Sequence, residues 1–382
     1  MYLPDRTAAV ALPFALAGAE QRACLLDGVG AGLDGVRHRL PRQAALDAGV
    51  APAVALRQHD MLRRWLEALA AALRAETMDE PQRTVPVGPV AAVGAHGSAY
   101  GLAGMYAMAA LAAGCPVLAR AVPAPSCSEL AGLIAAAAGA ACLPGTLFEL
   151  AADDDALLAR CAVRAVICRA GARPVPRLLP AVAELDGSET AFVLPGALNG
   201  RAEYLGQQLL AQPGACPVVV AIDGDGFIDL RETIVDTLAS GGALCAGGPA
   251  GLAPPAGSGA QVLDDASRGA AVPFAEVPAA ALVANPQLAG ARRGALLVRC
   301  GDGAELLALA WALGPLSCAS VHLAPGDAAL ATALLPVLEL AARHIHVNRF
   351  GTALRPTRAA ALDAIGRFRR PVFHHANAPH AA

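Results

Sequence analysis

In residues 59–76, HDMLRRWLEALAAALRAE, apolar side chains recur at Met61, Leu62, Trp65, Leu66, Leu69 and Leu73, with arginines opposite. Steps of three and four residues predict an amphipathic helix, and residues 1–80 read as mostly helical. After Pro86 the period shortens. VPVGPVAAVGA reads as a buried strand. GLAGMYAMAALAAG reads as an Ala-rich buried helix stopping at Gly114, and CPVLARAV as the next strand. SCSELAGLIAAAAGA is then a helix and VRAVICRA (163–170) a third strand. Strands alternating with helices, apolar throughout, predict a parallel α/β sheet covered on both faces.

A second set follows. ETAFVLPG and CPVVVAIDG are strands around the helix NGRAEYLGQQLLAQ, and LRETIVDTLASGG is a helix ending at a glycine pair. Residues 246–275, rich in Gly, Pro and Ala, suggest a surface excursion. RGALLVRCGDGAELLALAWALG reads as strand–turn–helix, and SCASVHL, AALATALLPVLELAA and RHIHVN continue the alternation. The tail AALDAIGRFRRPVFHH is short and basic. The expected division is a cofactor-type domain with a helical amino-terminal region over 1–182, a second α/β domain over 183–345 and a return or oligomerisation segment over 346–382.

Two local patterns need weighing. GVGAGLDG contains GxGxxG at Gly30, Gly32 and Gly35, but no strand precedes it, so the strand–turn–helix context of a dinucleotide fingerprint is missing. Residues 87–119 carry no formal charge, yet repeated Gly and Pro argue against a membrane helix. In TAAVALPFALAGA (7–19), Asp5 cancels Arg6, so a signal peptide's basic start is absent.

The chain has 382 residues and a formal net charge of −3, enough length for two or three lobes. Near-neutral charge argues against nucleic acid as a partner. All 29 basic residues are arginine, which excludes a Schiff-base or P-loop lysine. The ten cysteines form no CxxC pair, so buried reduced thiols in a cytoplasmic protein are expected, Cys115, Cys127, Cys142, Cys161 and Cys168 among them. His344 and His346 alternate on one strand without a third metal ligand in view, and DGDG (223–226) lacks the closing carboxylate of a calcium loop. No metal site is expected.

GPVAAVGAHGSAYGLAGMYAMAALAAGCPVLARAVPAPSCSEL (88–130) resembles the cofactor-domain core of the aldehyde dehydrogenase superfamily, in particular the α-ketoglutaric semialdehyde (2,5-dioxovalerate) dehydrogenases. AELDGSETAFVLPGAL (183–198), ALLVRCGDGAELLALAWAL (295–313), LLPVLELAARHIHVNRFGT (334–352) and AIGRFRRPV (364–372) follow in the family's order. The resemblance implies a Rossmann-like lobe, a second α/β catalytic-type lobe, and oxidation of a small semialdehyde to a carboxylate. In that chemistry a cysteine thiolate attacks the aldehyde, an oxyanion pocket holds the developing charge, NAD or NADP takes the hydride, and a glutamate activates water to cleave the thioester.

Carried over residue by residue, the resemblance makes Glu184 the general base. It puts Gly97 at the oxyanion asparagine, leaving His96 and Ser98 as substitute donors. It puts Arg120 at the adenosine-ribose lysine, with Pro123 also at the cofactor. Cys216 has two alignments. Matching GAC to the family's Gly-Gln-x-Cys makes it the nucleophile; matching VVVAI without gaps puts Pro213 there and leaves none. Other positions depart from the family. CRAGARPVPRLLPAV replaces the Gly-Ser loop and helix that cover the pyrophosphate. LAGARRGA (288–295) replaces a Glu-x-Phe-Gly-Pro stretch, and most of the segment between NRFGT and AIGRFRRPV is missing. Two readings follow: a weak or altered aldehyde dehydrogenase, or a non-catalytic scaffold or partner subunit in a homo- or hetero-oligomer.

Overall fold

The computed structural model describes residues 6–48, 52–75, 84–93, 99–102, 104–120, 124–151, 163–168, 181–184, 189–210, 218–239, 261–262, 274–284, 295–313, 316, 318–342, 344–350 and 356–372. The helical start is as expected: α1 (Arg6–Ala15), α2 (Ala19–Val36), α3 (Leu40–Ala48) and α4 (Pro52–Arg74). The apolar stripe of α4 is buried, with Trp65 and Leu69 fully enclosed. On the outer side, Arg63 pairs with Asp34 and Arg74 with Glu20 and Asp27, tying α4 to α2.

The glycine motif lies inside α2. A Cβ at Gly28 would come 3.0 Å from Ala137 Cβ, and one at Gly32 3.1 Å from Leu133. Both neighbours belong to α7 (Pro125–Ala140). These glycines let two helices approach closely; they make no phosphate loop.

Alternation after Pro86 builds two sheets, as the two sets of strands in the sequence imply. VPVGPVAAVGA is two strands, β1 (Thr84–Pro86) and β2 (Val90–Val93), separated at Gly88 with φ +114. Residues 99–113 are likewise two helices, α5 (Ala99–Leu102) and α6 (Met105–Ala113). Gly114 ends α6 at φ +95, the left-handed conformation a helix C-terminus favours for glycine. With β3 (Val117–Arg120), β4 (Phe148–Ala151), β5 (Ala165–Cys168) and β6 (Ala181–Glu184), β2 forms a parallel sheet of order β4-β3-β2-β5-β6. Strands β4 and β6 are too short and too mixed to stand out in the sequence.

The second sheet has seven strands in the order β13-β12-β7-β8-β11-β10-β9. Its members are β7 (Glu189–Val193), β8 (Val218–Ile222), β9 (Gln261–Val262), β10 (Phe274–Pro278), β11 (Ala295–Cys300), β12 (Cys318–His322) and β13 (Ile345–Val347). All pairs are parallel except β9 with β10. Within the expected surface excursion, Gln261–Val262 is a strand and Phe274 opens β10 fully buried; the rest of it lies outside the described residues. Val218 and Val220 face helices Ala279–Ala284, Gly303–Ala312 and Ala328–Ala341, while Val219 and Ala221 face Pro195–Leu210 and Asp225–Ala239.

The basic tail has a defined role. Helix Arg358–Gly366 packs into the first core through Ala361, Ala364 and Ile365, and β14 (Arg369–Pro371) pairs antiparallel with β1. Arg367 reaches the Tyr106 hydroxyl at 3.1 Å and lies over its ring.

The α2 packing yields a prediction. Gly28→Leu should cost about 1–3 kcal/mol by overpacking against Ala137. Gly35→Ala, with nothing within 4 Å of the new Cβ, should be neutral or stabilising by up to about 1 kcal/mol. Urea unfolding of both variants checks this, and equal effects would contradict it.

Candidate functional site

In a doubly wound parallel sheet the ligand crevice lies beyond the carboxyl ends of the strands where the strand order reverses. In the five-stranded sheet that point is between β2 and β5, where Val93 pairs with Cys168. His96 and Ser98 follow β2 by three and five residues and lie outside the described residues. Arg120 ends the adjacent β3, and Glu184 ends the edge strand β6; only their backbones are described. Pro123, Cys216 and the alternative Pro213 also lie outside the described residues.

Strand order still relates several of these positions. Glu184 closes β6, and residues 185–188 lead directly into β7. Strand β7 pairs in parallel with β8, with Thr190 beside Val218, and Cys216 precedes Val218 by two residues. Glu184 therefore ends the first sheet's carboxyl edge, and Cys216 lies two residues before the first residue of β8 in the sequence.

Residues 169–180 join β5 to β6 and include Pro174, Pro176 and Pro180. This is the crossover that leaves the switch point, where free backbone N–H groups at a helix start would hold a pyrophosphate. Proline has no N–H and breaks a helix interior. Residues 169–180 themselves lie outside the described residues.

The second sheet has its own switch point, between β7 and β12, and there the chain fills it. The 195–210 helix leaves β7 toward one face and the 328–341 helix leaves β12 toward the other. The buried Asp327 accepts from Gly196 N at 2.7 Å, Ala197 N at 3.0 Å and Ala324 N at 2.7 Å. An internal carboxylate thus caps the helix start that an anionic ligand would otherwise take. A Cβ at Gly196 would lie 2.9 Å from the Asp327 carboxylate, so this approach requires glycine.

Beside this plug lies His322, the last residue of β12, 1% exposed, with no hydrogen-bond partner on either ring nitrogen among the described residues. Its ring contacts Phe350 at 4.3 Å. Arg201 is anchored to Leu323 O and Asn348 Oδ1. Burial, then the Arg201 charge, pushes the His322 pKa down to about 4. A histidine so weakly basic stays neutral at pH 7 and is poorly matched to general-base work there.

Other candidate chemistry resolves as structure. Asp223 of DGDG pairs with Arg299. His346 Nδ1 is 2.9 Å from Arg349. Among the described residues no group of three metal-ligating side chains forms. Cys115 and Cys127 are buried, with burial pushing both thiols up to about 11. Cys142 is exposed, contrary to expectation, because it sits past the end of α7 at φ +54. Cys161 and the Cys168 side chain lie outside the described part. No single described helix is long and apolar enough to cross a membrane.

The sequence reading missed Asp327 and His322. A carboxylate after PG at a strand end hinted at a cap; nothing in the sequence marked His322 as unpartnered.

The His322 shift has a sign. Its folded pKa, about 4, lies below the ordinary 6.5, so the unfolded chain takes a proton first as pH falls. Stability present above pH 6.5 should be lost between 6.5 and 4, by up to about 3 kcal/mol from this group. His322→Phe should flatten the acid side of the stability–pH curve in urea titrations. Asp327→Ala leaves three amides uncapped and should cost about 1–3 kcal/mol at pH 7; unchanged stability would contradict the plug.

The fold and sequence have known counterparts. No protein-family model matches the chain. It is 31% identical over 321 residues to α-ketoglutaric semialdehyde dehydrogenase 2 of Azospirillum brasilense, covering 71% of this chain and 59% of that protein's length. Glyceraldehyde-3-phosphate dehydrogenase GapN of Methanocaldococcus jannaschii, solved with NADP, superposes at TM-score 0.67 with 15% identity, over 96% of this chain and 92% of that one. An NAD-dependent benzaldehyde dehydrogenase of Corynebacterium glutamicum gives 0.66, also at 15% identity, over 96% and 87%. With two parallel sheets in this arrangement and this sequence similarity, the chain belongs to the aldehyde dehydrogenase superfamily.

Proposed function

We propose that this chain is a divergent aldehyde dehydrogenase relative in which NAD(P)-dependent oxidation of a small semialdehyde to a carboxylate is greatly weakened or lost. The observation that carries this reading is the β5–β6 connection, residues 169–180, with three prolines where the family's fold presents amides to the cofactor pyrophosphate. The other departures point the same way. Arg120, a planar fork, stands in place of a compact ammonium. His96 and Ser98 flank a glycine at the position of an amide side chain. In acyl-transfer chemistry one missing oxyanion donor costs about 100–1000-fold in rate.

What chemistry survives would rest on two groups. Cys216 would attack the aldehyde carbon, and Glu184 would take a proton from the water that releases the acid. The alternative is a non-catalytic partner or scaffold subunit, a role for which fold alone is no argument against.

Turnover decides between retained and lost activity. With α-ketoglutaric semialdehyde and NAD or NADP, the chain should reduce cofactor at least about 100-fold more slowly than the Azospirillum brasilense relative assayed alongside. A comparable rate, abolished in Cys216→Ala, would overturn the proposal.

A further inference from the structure

Six cysteines are described, all free, and they divide by exposure. Cys115, Cys127, Cys300 and Cys318 are buried, while Cys24 and Cys142 are exposed. The two exposed ones are far apart in the chain but lie at one helix crossing. Cys24 is on α2, one turn before Gly28 and two before Gly32, so all three share one stripe. That stripe meets α7 in antiparallel register. A Cβ at Gly28 would lie 3.0 Å from Ala137 Cβ, and one at Gly32 3.6 Å from Leu133 Cβ. Four residues forward on α2 match four residues back on α7, with little change in separation. One further turn toward the start of α2 sets Cys24 level with Ala141 and Cys142. Gln21, three residues before Cys24, fixes the same level: its Nε2 donates to Ala141 O at 3.0 Å and to Cys142 O at 3.3 Å.

Local structure at both positions favours a meeting of the thiols. Helical Cβ atoms lean toward the helix start, and Cys24 Sγ does so, 3.5 Å from Glu20 Oε1. That is the end of α2 beside which the chain leaves α7. Cys142 stands where backbone geometry disfavours it. Helix α7 ends in a Schellman turn, with Leu143 N donating to Ala138 O at 2.8 Å and Cys142 N to Gly139 O at 3.1 Å. Such a turn needs a left-handed residue, and Cys142 takes φ +54. Glycine adopts that conformation without steric cost. An exposed cysteine there bears strain with no burial to offset it, which points to the chemistry of its thiol.

We propose that Cys24 and Cys142 form a reversible disulfide that staples α2 to the end of α7, with a small disulfide, oxidised glutathione, as the oxidant. A disulfide spans Cα atoms roughly 4.4–6.8 Å apart. The glycine contact brings the helix backbones this close, since a Cβ at Gly28 would lie 3.4 Å from Ala137 Cα. One protein thiolate attacks a glutathione sulfur, forming a protein–glutathione bond and releasing one glutathione thiolate. The second protein thiolate then attacks the protein sulfur of that mixed disulfide and releases the other glutathione. Two electrons and two protons pass from the cysteine pair to the small disulfide, which leaves as two thiols. The closed loop contains helices α3 to α7 and strands β1 to β3, so oxidation stabilises the first lobe against unfolding. Formation of the staple does not depend on whether aldehyde oxidation survives.

The test equilibrates the full chain with oxidised and reduced glutathione, blocks the remaining thiols with N-ethylmaleimide, and maps peptides by mass without reduction. The wild type should yield peptides joined at Cys24 and Cys142 and separated by dithiothreitol. Its urea midpoint should rise on oxidation and fall back on reduction. Cys24→Ser and Cys142→Gly should show neither the joined peptides nor the rise. Reduced, both should unfold close to the wild-type midpoint, which separates loss of the staple from loss of the fold. Wild-type Cys24 and Cys142 that stay free, carry separate glutathione adducts or pair with other cysteines would overturn the proposal. So would a rise in midpoint that both variants retain.

Discussion

Parallel strand pairing is the constraint on which this molecule depends. A parallel neighbour cannot be reached by a tight turn, so the chain must cross a face of the sheet between strands. That demand accounts for the buried strands Val90–Val93 and Val218–Ile222 and the helices on both sides of the second sheet. It also decides where chemistry can occur. With the faces covered, the strand ends are what remain, and of those the two switch points are open by topology.

The chain treats its two switch points differently. At the second, Asp327 takes three backbone amides and His322 lies uncharged in the packing beside them. This lobe has closed its own crevice with an internal anion. At the first, the crossover beyond β5 is rich in proline, the residue least able to offer amides. Family membership and fold remain, and the proposed loss of dinucleotide binding rests on those prolines.

Much of the fold was legible in the sequence because apolar period and glycine punctuation are local signals. Helix α4, the stop at Gly114 and the strand–turn–helix from Ala295 could be read directly. Strands β4 and β6 could not, since four residues of mixed character become a strand only through their neighbours. The GxGxxG in α2 is a lesson of the other kind: the pattern lies inside a helix, where Gly32 packs on Leu133 across a helix crossing and Gly30 lies against Arg63. The site was legible only as a sequence resemblance. Asp327 and His322 act through contacts between segments far apart in the chain, which no local pattern announces.

The central claim, a family fold whose dinucleotide crevice no longer fits its cofactor, is tested most directly by linkage. A cofactor that binds the native state at a hundred times its dissociation constant stabilises it by about 2.7 kcal/mol. Urea unfolding of the full chain in millimolar NAD, and separately in millimolar NADP, should give the same midpoint as unfolding without cofactor. A saturable rise in the midpoint with either nucleotide, absent with adenosine alone, would contradict the account.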